Sequence, residues 1–535
     1  MKLPFKKLRT ADRGQAILII ALAMVGVVAF AGMMVDGGVL FIEYGKLKRG
    51  IDAAAIASAQ QFRAGFQGAD LAAAAQNFLV LNDSRADSIK VYRCGQDADG
   101  NDLPTDSGTG QIVGDNGVDG TLPDNTLCTD PLRKLVRVEA EKWVNFSFLR
   151  VVGWNGMNIR AESVGEAASI DLVLVIDTSA SMSYQTGGDP NLPDNALDDP
   201  SVCNYSTSDP CQPLKDVKDV ADDFIDTMFF PYDRVSIVAF TGQAADSTDQ
   251  TVTRDHVTVL PLSDDENNVR AAIASLKVFQ PPVCDFASSP ASPPFGPCLN
   301  YDGNTGDFLG LECPLLRYGN DLINNSGDEV DDPSSCNSSN IGGALYRAAS
   351  EFTQEPSRSD AFWVVIMLAG GPANATDSAD DFPYGYCPPS TWNVKTIDVD
   401  GDGDVDSADF AKTNPNCRDW SNSVRHGNGD SDYDADDYAR DMGDFLADPV
   451  DGQGISIFTI GLGNLIKNAP KGAPDSAEDL LTYVAESAGD GPDSNGDGDL
   501  DYVANHGQYF YAPNTGDLGT IFKKIADNIF TRIAK

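Results

Sequence analysis

An α/β fold is predicted for most of this chain: a doubly wound, mostly parallel sheet with long acidic insertions, preceded by a transmembrane helix, a long helix and a small β-rich domain. Three observations predict it. Residues 171–181 read DLVLVIDTSAS, a continuous, partly β-branched aliphatic run of the kind a strand covered on both faces requires. From residue 169 onward, such runs alternate with amphipathic helical patterns, the mark of a sheet wound with helices. Residues 16–35, AILIIALAMVGVVAFAGMMV, carry no charge and are long enough as a helix to span a bilayer.

The elements follow in order. Residues 1–14 form a basic tail with Lys2, Lys6, Lys7, Arg9 and Arg13, and residues 15–36 the anchor, closed by Asp36. The positive charges place the N-terminus in the cytoplasm and the rest of the chain outside the cell membrane. A cleaved signal peptide is the alternative, since Ala29-Phe30-Ala31 fits a small-x-small cleavage site. The helical pattern does not stop there, which favours the anchor. It continues through GGVLFIEYGKLKRGIDAAAIASAQQFRAGF, so residues 39–80 are expected to form one long helix with a break near Gly65-Phe66-Gln67-Gly68. The rest of the membrane-proximal region 37–168 is β-rich: SIKVYRC, KLVRVEAEKWVNFSFL and MNIRAESVGEA read as strands around a Gly/Asp-rich loop at 95–127.

From 169 to 535 the predicted strands are DLVLVID, RVSIVAF, HVTVLPL, FWVVIMLA, GISIFTIGLG and QYFYA. The predicted helices are DVKDVADDFIDTMFF, ENNVRAAIASLKV, IGGALYRAASEF, DSAEDLLTYVAESA and DLGTIFKKIADNIFTRI. Insertions fall near 183–211, 280–338 and 372–431, on the edge where open α/β sheets carry their ligands.

A net charge of −42 with a pI near 4.1 excludes a sizeable basic patch and, with it, nucleic acid as a partner. The acidic residues cluster in Asp/Asn/Gly-rich loops, which favours calcium over general salt adaptation. Ten cysteines without a two-residue spacing read as disulfides in an exported chain rather than as zinc ligands. Nearest-neighbour pairing is the simplest connectivity. His256, His426 and His506 stand apart from any motif, and no His-Glu-x-x-His, Gly-x-Ser-x-Gly or phosphate-binding loop occurs. The chain is therefore read as non-enzymatic.

Asp177, Ser179 and Ser181 sit where the first strand of this region ends. One anionic and two neutral hard oxygens suit Mg²⁺. At this point the chain resembles the von Willebrand factor A family, whose metal-ion-dependent adhesion site opens with Asp-x-Ser-x-Ser. The resemblance implies a further hydroxyl ligand just ahead of a Gly-Gly helix start. Ser338-Ser339-Asn340-Ile341-Gly342-Gly343 matches that segment, with Ser339 in place of the family's Thr. It also implies an Asp after the strand FWVVIMLA, where this chain has Gly370. That Asp usually acts through water, so its loss weakens the site without removing the direct ligands Asp177, Ser179, Ser181 and Ser339 for Mg²⁺ or Mn²⁺. A second resemblance covers about 50 residues. Arg13-Gly14, Val35-Asp36 and the Asp52-Ala-Ala-Ala-Ile-Ala stretch look like the N-terminus of TadG-like proteins of the tight-adherence (Flp) pilus-assembly system. Gly14-Gln15 is a candidate prepilin-peptidase site, but Ile19 stands where prepilins carry Glu, so an unprocessed anchor is expected.

Residues 398–409 read DVDGDGDVDSAD. Asp398, Asp400, Asp402, Asp404, Asp406 and Asp409 fall on positions 1, 3, 5, 7, 9 and 12 of an EF-hand-type calcium loop, with Gly403 at 6 and Val405 at 8. Asp at position 12 in place of Glu implies weaker Ca²⁺ binding, as in dockerin-like loops. A partial copy has Asp493, Asn495, Asp497, Asp499 and Asp501 at positions 1, 3, 5, 7 and 9, with Ala504 at 12. The resemblances imply a membrane-anchored, extracytoplasmic protein acting in tight-adherence pilus assembly or surface adhesion through metal-dependent protein binding. The alternatives are a pilus-assembly scaffold with a vestigial metal site and a calcium-stabilised adhesin unrelated to pili.

Overall fold

The computed structural model describes residues 15–61, 68–82, 84–94, 127, 129, 132–183, 198–241, 256–280, 283, 298–312, 339–354, 356–373, 435–467, 476–491 and 500–533. The chain divides into two compact units, Met1–Ala167 and Ala168–Lys535.

In the first unit, helix α1 (Gln15–Ala59) runs without interruption from the apolar run into the amphipathic continuation. Its N-terminal part is long and apolar enough to cross a membrane, by length and composition. The side chains from Ile17 to Val35 are largely exposed, whereas Leu47, Ile51, Ala54 and Ala55 are buried. The expected long helix thus ends at Ala59, and α2 (Gly68–Leu81) begins where the Gly-flanked break was read. Strands β1 (Ser88–Arg93), β2 (Lys134–Asn145) and β3 (Gly156–Ala167) form an antiparallel sheet in the order β1-β2-β3.

The second unit is built on β4 (Ile170–Asp177). All eight residues of this strand are buried, as its unbroken aliphatic sequence requires of a strand packed on both faces. Helices α3 (Pro200–Cys203) and α4 (Leu214–Ile225) follow, then β5 (Arg234–Phe240), β6 (His256–Ser263) and α5 (Glu266–Ser275). The remaining elements are β7 (Cys298–Tyr301), β8 (Phe308–Glu312), α6 (Ile341–Thr353), β9 (Phe362–Ala369), α7 (Ala435–Ala447), β10 (Ser456–Leu462), α8 (Ala477–Glu486), β11 (Tyr509–Ala512) and α9 (Leu518–Ile533).

Six strands make one mixed sheet in the order β11-β10-β9-β4-β5-β6. Every pairing is parallel except β5 with β6. One face packs Leu172, Leu174 and Ile176 against α4, α5 and α9. The other packs Val173 and Val175 against α6, α7 and α8. Each Leu, Ile or Val so buried contributes roughly 1.5–3 kcal/mol. Gly342, in the first turn of α6, lies under the Tyr438 ring of α7, where any Cβ would collide.

Four described elements were not read from the sequence, the short α3 inside the first insertion among them. Helix α7 lies just past the third insertion, and β7–β8 is an antiparallel hairpin inside the second. One disulfide links described cysteines, Cys203 to Cys211 with a Cα–Cα distance of 4.7 Å, which is the nearest-neighbour pairing at that place. No cysteine among the described residues is free.

Candidate metal centre

β4 delivers Asp177 to the carboxyl edge of the sheet. The chain then turns through Thr178, whose N–H and hydroxyl both bond the Phe240 carbonyl at the end of β5 (2.8 and 2.9 Å). This double contact fixes the turn. It leads into a 3₁₀ turn, Ala180–Ser183. Just ahead of it the Ser179 N–H donates to Asp177 Oδ1 (2.7 Å), and the Ser179 and Ser181 hydroxyls share a hydrogen bond of 2.8 Å. The next strand over ends at Ala369, and the Gly370 N–H donates to Asp177 Oδ2 (2.8 Å). Ser339 enters from the start of α6. There the Asn340 N–H bonds the Thr241 carbonyl (3.1 Å), and the Asn340 side chain caps the helix by accepting from the Gly343 N–H (2.8 Å). Capping by Asn immediately before an apolar helical run is a regular start signal.

The two glycines show that the side chains share one place. A Cβ on Gly371 would lie 3.8 Å from both the Ser181 and Ser339 hydroxyls, and one on Gly370 would lie 3.1 Å from Ser181 Oγ and 3.6 Å from Asp177 Oδ2. Asp177, Ser179 and Ser339 are buried. Burial pushes the Asp177 carboxyl up to about 6, against the Ser179 and Gly370 hydrogen bonds that pull it down.

A second buried aspartate on the same strand sharpens the reading. Asp171, six residues earlier, takes hydrogen bonds from the guanidinium groups of Arg234 (3.0 and 2.6 Å) and Arg358. Asp177 has no Lys, Arg or His in ion-pair range among the described residues. A buried carboxylate without a counter-charge is costly, and a divalent cation would supply that charge. One anionic and three neutral oxygens around two glycines fit a hard ion such as Mg²⁺ or Mn²⁺. Among the described residues there is no group of three or more His, Cys, Asp or Glu side chains suited to a metal.

The hairpin β7–β8 borders this cradle. Leu299 packs on Ala180, and the Tyr301 hydroxyl bonds Asp199 (3.0 Å) at the start of α3. Sequence reasoning missed Thr178, Asn340 and the Gly370 N–H as builders of the site. Only Asn340 carried a local signal.

The loop of Asp398, Asp400, Asp402, Asp404, Asp406 and Asp409 lies outside the described residues, as do Asp493, Asn495, Asp497 and Asp499. Asp501 is described and exposed. The ends of its loop are joined by the Gly491 N–H to the Tyr502 carbonyl (2.9 Å), and the Tyr502 hydroxyl bonds Asp448 (2.8 Å).

No protein-family model matches the sequence, and no match to a curated protein reaches significance. Among solved structures, the pilus adhesin SpaC of Lactobacillus rhamnosus GG is similar at 10% identity over 75% of this chain, with a TM-score of 0.32, and this chain spans 33% of that protein. The PilB minor pilin of Streptococcus sanguinis matches at 11% identity over 84% of this chain and 89% of its own, TM-score 0.33. The vWF domain of the type V pili tip protein Mfa5 from Porphyromonas gingivalis matches at 13% identity over 69% and 97%, TM-score 0.24. Likeness at that level adds nothing to what the site's own chemistry supports.

Proposed function

We propose that this chain is a membrane-anchored, extracytoplasmic protein of the TadG type, whose second unit is a doubly wound von Willebrand A domain. Its Asp177, Ser179, Ser181 and Ser339 cradle holds Mg²⁺ or Mn²⁺. A bound ion presents a coordination position to an acidic group of a protein partner, at the cell surface or in a pilus machine. The observation that carries this reading is the buried Asp177 carboxylate, uncompensated by any described cation, facing hydroxyls from a second chain segment. Calorimetric titration of the full chain with Mg²⁺ and Mn²⁺ tests it. Saturable binding lost in Asp177→Asn supports it, and equal heats in both proteins refute it.

Gly370 favours a second reading, a pilus-assembly scaffold with a vestigial site. Gly370→Asp separates the two. The new Cβ would sit 2.9 Å from Met182 Sδ and 3.6 Å from Asp177 Oδ2, so the change adds both crowding and a second negative charge. Gly370→Ala supplies the crowding alone. In a working site, Gly370→Asp should bind Mg²⁺ at least tenfold more tightly than Gly370→Ala, the low end of what an outer carboxylate contributes. Equal affinities point to the scaffold.

Residues 398–409 are assigned to Ca²⁺ and 493–501 to a weaker Ca²⁺ loop. Carboxylates about 4 Å apart repel by about 1 kcal/mol per pair even in water, so a compact acidic loop needs a cation at its centre. Limited proteolysis should cut between Cys387 and Cys417 in chelator and spare that segment in Ca²⁺. Asp398→Ala should remove the protection. Equal cutting in both conditions leaves an acidic linker.

A further inference from the structure

The tip of the β2–β3 hairpin is the most unusual surface of the first unit. It is a 3₁₀ turn, Leu149–Val152, closed by Gly153 at φ 95°. Phe148, Val151 and Trp154 are exposed, Val151 at 89%. Trp143 and Met157, at the adjoining strand ends, are exposed as well. Hairpin tips in water carry Gly, Asn, Asp and Ser, and an apolar cluster of this kind calls for an occupant.

Contacts with α1 fix where the tip lies. Gly165 in β3 abuts the backbone of Ala55, and Lys48 Nζ bonds the Glu162 carbonyl (2.7 Å). Further along, Lys142 pairs with Glu43 (2.6 Å). At the tip, the N–H groups of Ser147, Phe148 and Leu149 all donate to the Asp36 carboxylate (2.8, 2.9 and 2.6 Å). Beyond Asp36, the Phe148 Cβ lies 2.6 Å from where a Gly32 Cβ would be. Each step moves toward the membrane-spanning run. From Ala55 to Gly32 the helix covers about 35 Å at 1.5 Å per residue, and β3 with the tip covers a similar length. Phe148 therefore reaches one helical turn into the apolar run.

The apolar surface of α1 does not end at Asp36. Asp36 is buried, with its charge met by three N–H groups, and exposed Val39, Phe41, Ile42 and Tyr44 follow it on α1. The first charges after Asp36 are Glu43 and Lys46, gathered with Lys142. From residue 16 to 44 the helix is about 42 Å long, close to the thickness of a bilayer with its headgroups.

We propose that the hairpin tip, residues 146–157, is a wedge embedded in the outer-leaflet interface beside α1. Val151 and Trp154 contact lipid, and Asp36 pins the turn to the spanning helix. The proposal rests on reading α1 as an anchor rather than a cleaved signal. The occupant is the bilayer because the apolar tip is continuous with the apolar face of α1. Its tryptophans are the residues that collect at membrane interfaces, and exposed Arg150 can extend to the headgroups.

The full chain in phosphatidylcholine vesicles, with bromine at defined acyl depths, tests this. In a Trp143→Phe background, brominated lipid should remove a component of tryptophan emission that Trp154→Phe also removes, with shallow bromine most effective. All the changes are at exposed positions, which protects folding. A control carries Phe30→Trp on the Trp154→Phe background and reports α1, with the deepest bromine most effective. Quenching of the control but not of Trp154, with Trp154 open to acrylamide, overturns the wedge and keeps the anchor. Trp154 shielded from both quenchers assigns the tip to a protein partner and also overturns it. Loss of both bromine signals overturns the anchor and the wedge together.

Discussion

Asn in place of Asp177 is expected to stabilise the cation-free chain at neutral pH while abolishing its response to Mg²⁺. The carboxyl is fully buried and pushed up to about 6 from 3.8. Between those values the folded chain holds a proton that the unfolded chain has released. Stability from this group is therefore fully present below 3.8 and is lost as pH rises through about 6. About two pH units correspond to about 3 kcal/mol. Asn carries no charge but loses one acceptor for the Ser179 or Gly370 N–H, a loss of about 1–3 kcal/mol that does not change with pH. The pH dependence is thus the cleaner signal. Urea unfolding of Asp177→Asn relative to wild type should improve by about 2 kcal/mol between pH 4 and pH 7. Mg²⁺ at a hundredfold its dissociation constant should then stabilise wild type by about 2.7 kcal/mol and leave the variant unmoved. Parallel pH profiles would show that Asp177 bears no unpaired charge and would remove the physical reason for a cation there.

Much of this site was legible because its signals are local. LVLVI is uniformly aliphatic since both faces of β4 are covered, and Asp177 follows at the carboxyl end of that strand. Ser339 was found through the Gly-Gly start of α6, where Gly342 is demanded by the Tyr438 ring. What was missed depends on distant partners. In ADDYARDMGDFLA the carboxylates dilute the apolar stripe, and its helix shows only once Tyr438, Ala439 and Leu446 are buried against the sheet. The antiparallel course of β6 left no mark beyond Pro261, tolerated because β6 is an edge strand. Nothing near Asp36 in sequence announces the three N–H groups more than a hundred residues away that neutralise it.

Asp171→Asn is expected to produce the largest loss of stability, about 3–5 kcal/mol, the usual result of removing one member of a buried ion pair. Asp171 is wholly buried, and both arginines it joins are nearly so. Arg234 opens β5 and also donates to the Pro356 carbonyl (2.7 Å), while Arg358, just ahead of β9, donates to the Tyr232 carbonyl (2.8 Å). One carboxylate thus ties β4 to the starts of both neighbouring strands, at the end of the sheet opposite the cradle. Without its charge, two buried guanidinium groups lose the carboxylate they share. The loss should appear in urea unfolding of the full chain, with Mg²⁺ affinity of the folded protein unchanged because the cradle lies at the far end of β4. Replacing all three, Asp171→Leu with Arg234→Met and Arg358→Met, should recover part of the loss. It should not recover all of it, because the Pro356 and Tyr232 carbonyls then lack their donors. A single Asp171→Asn variant as stable as wild type would mean that the two arginines find other acceptors, and that the strands are held in register by their ladders and core alone.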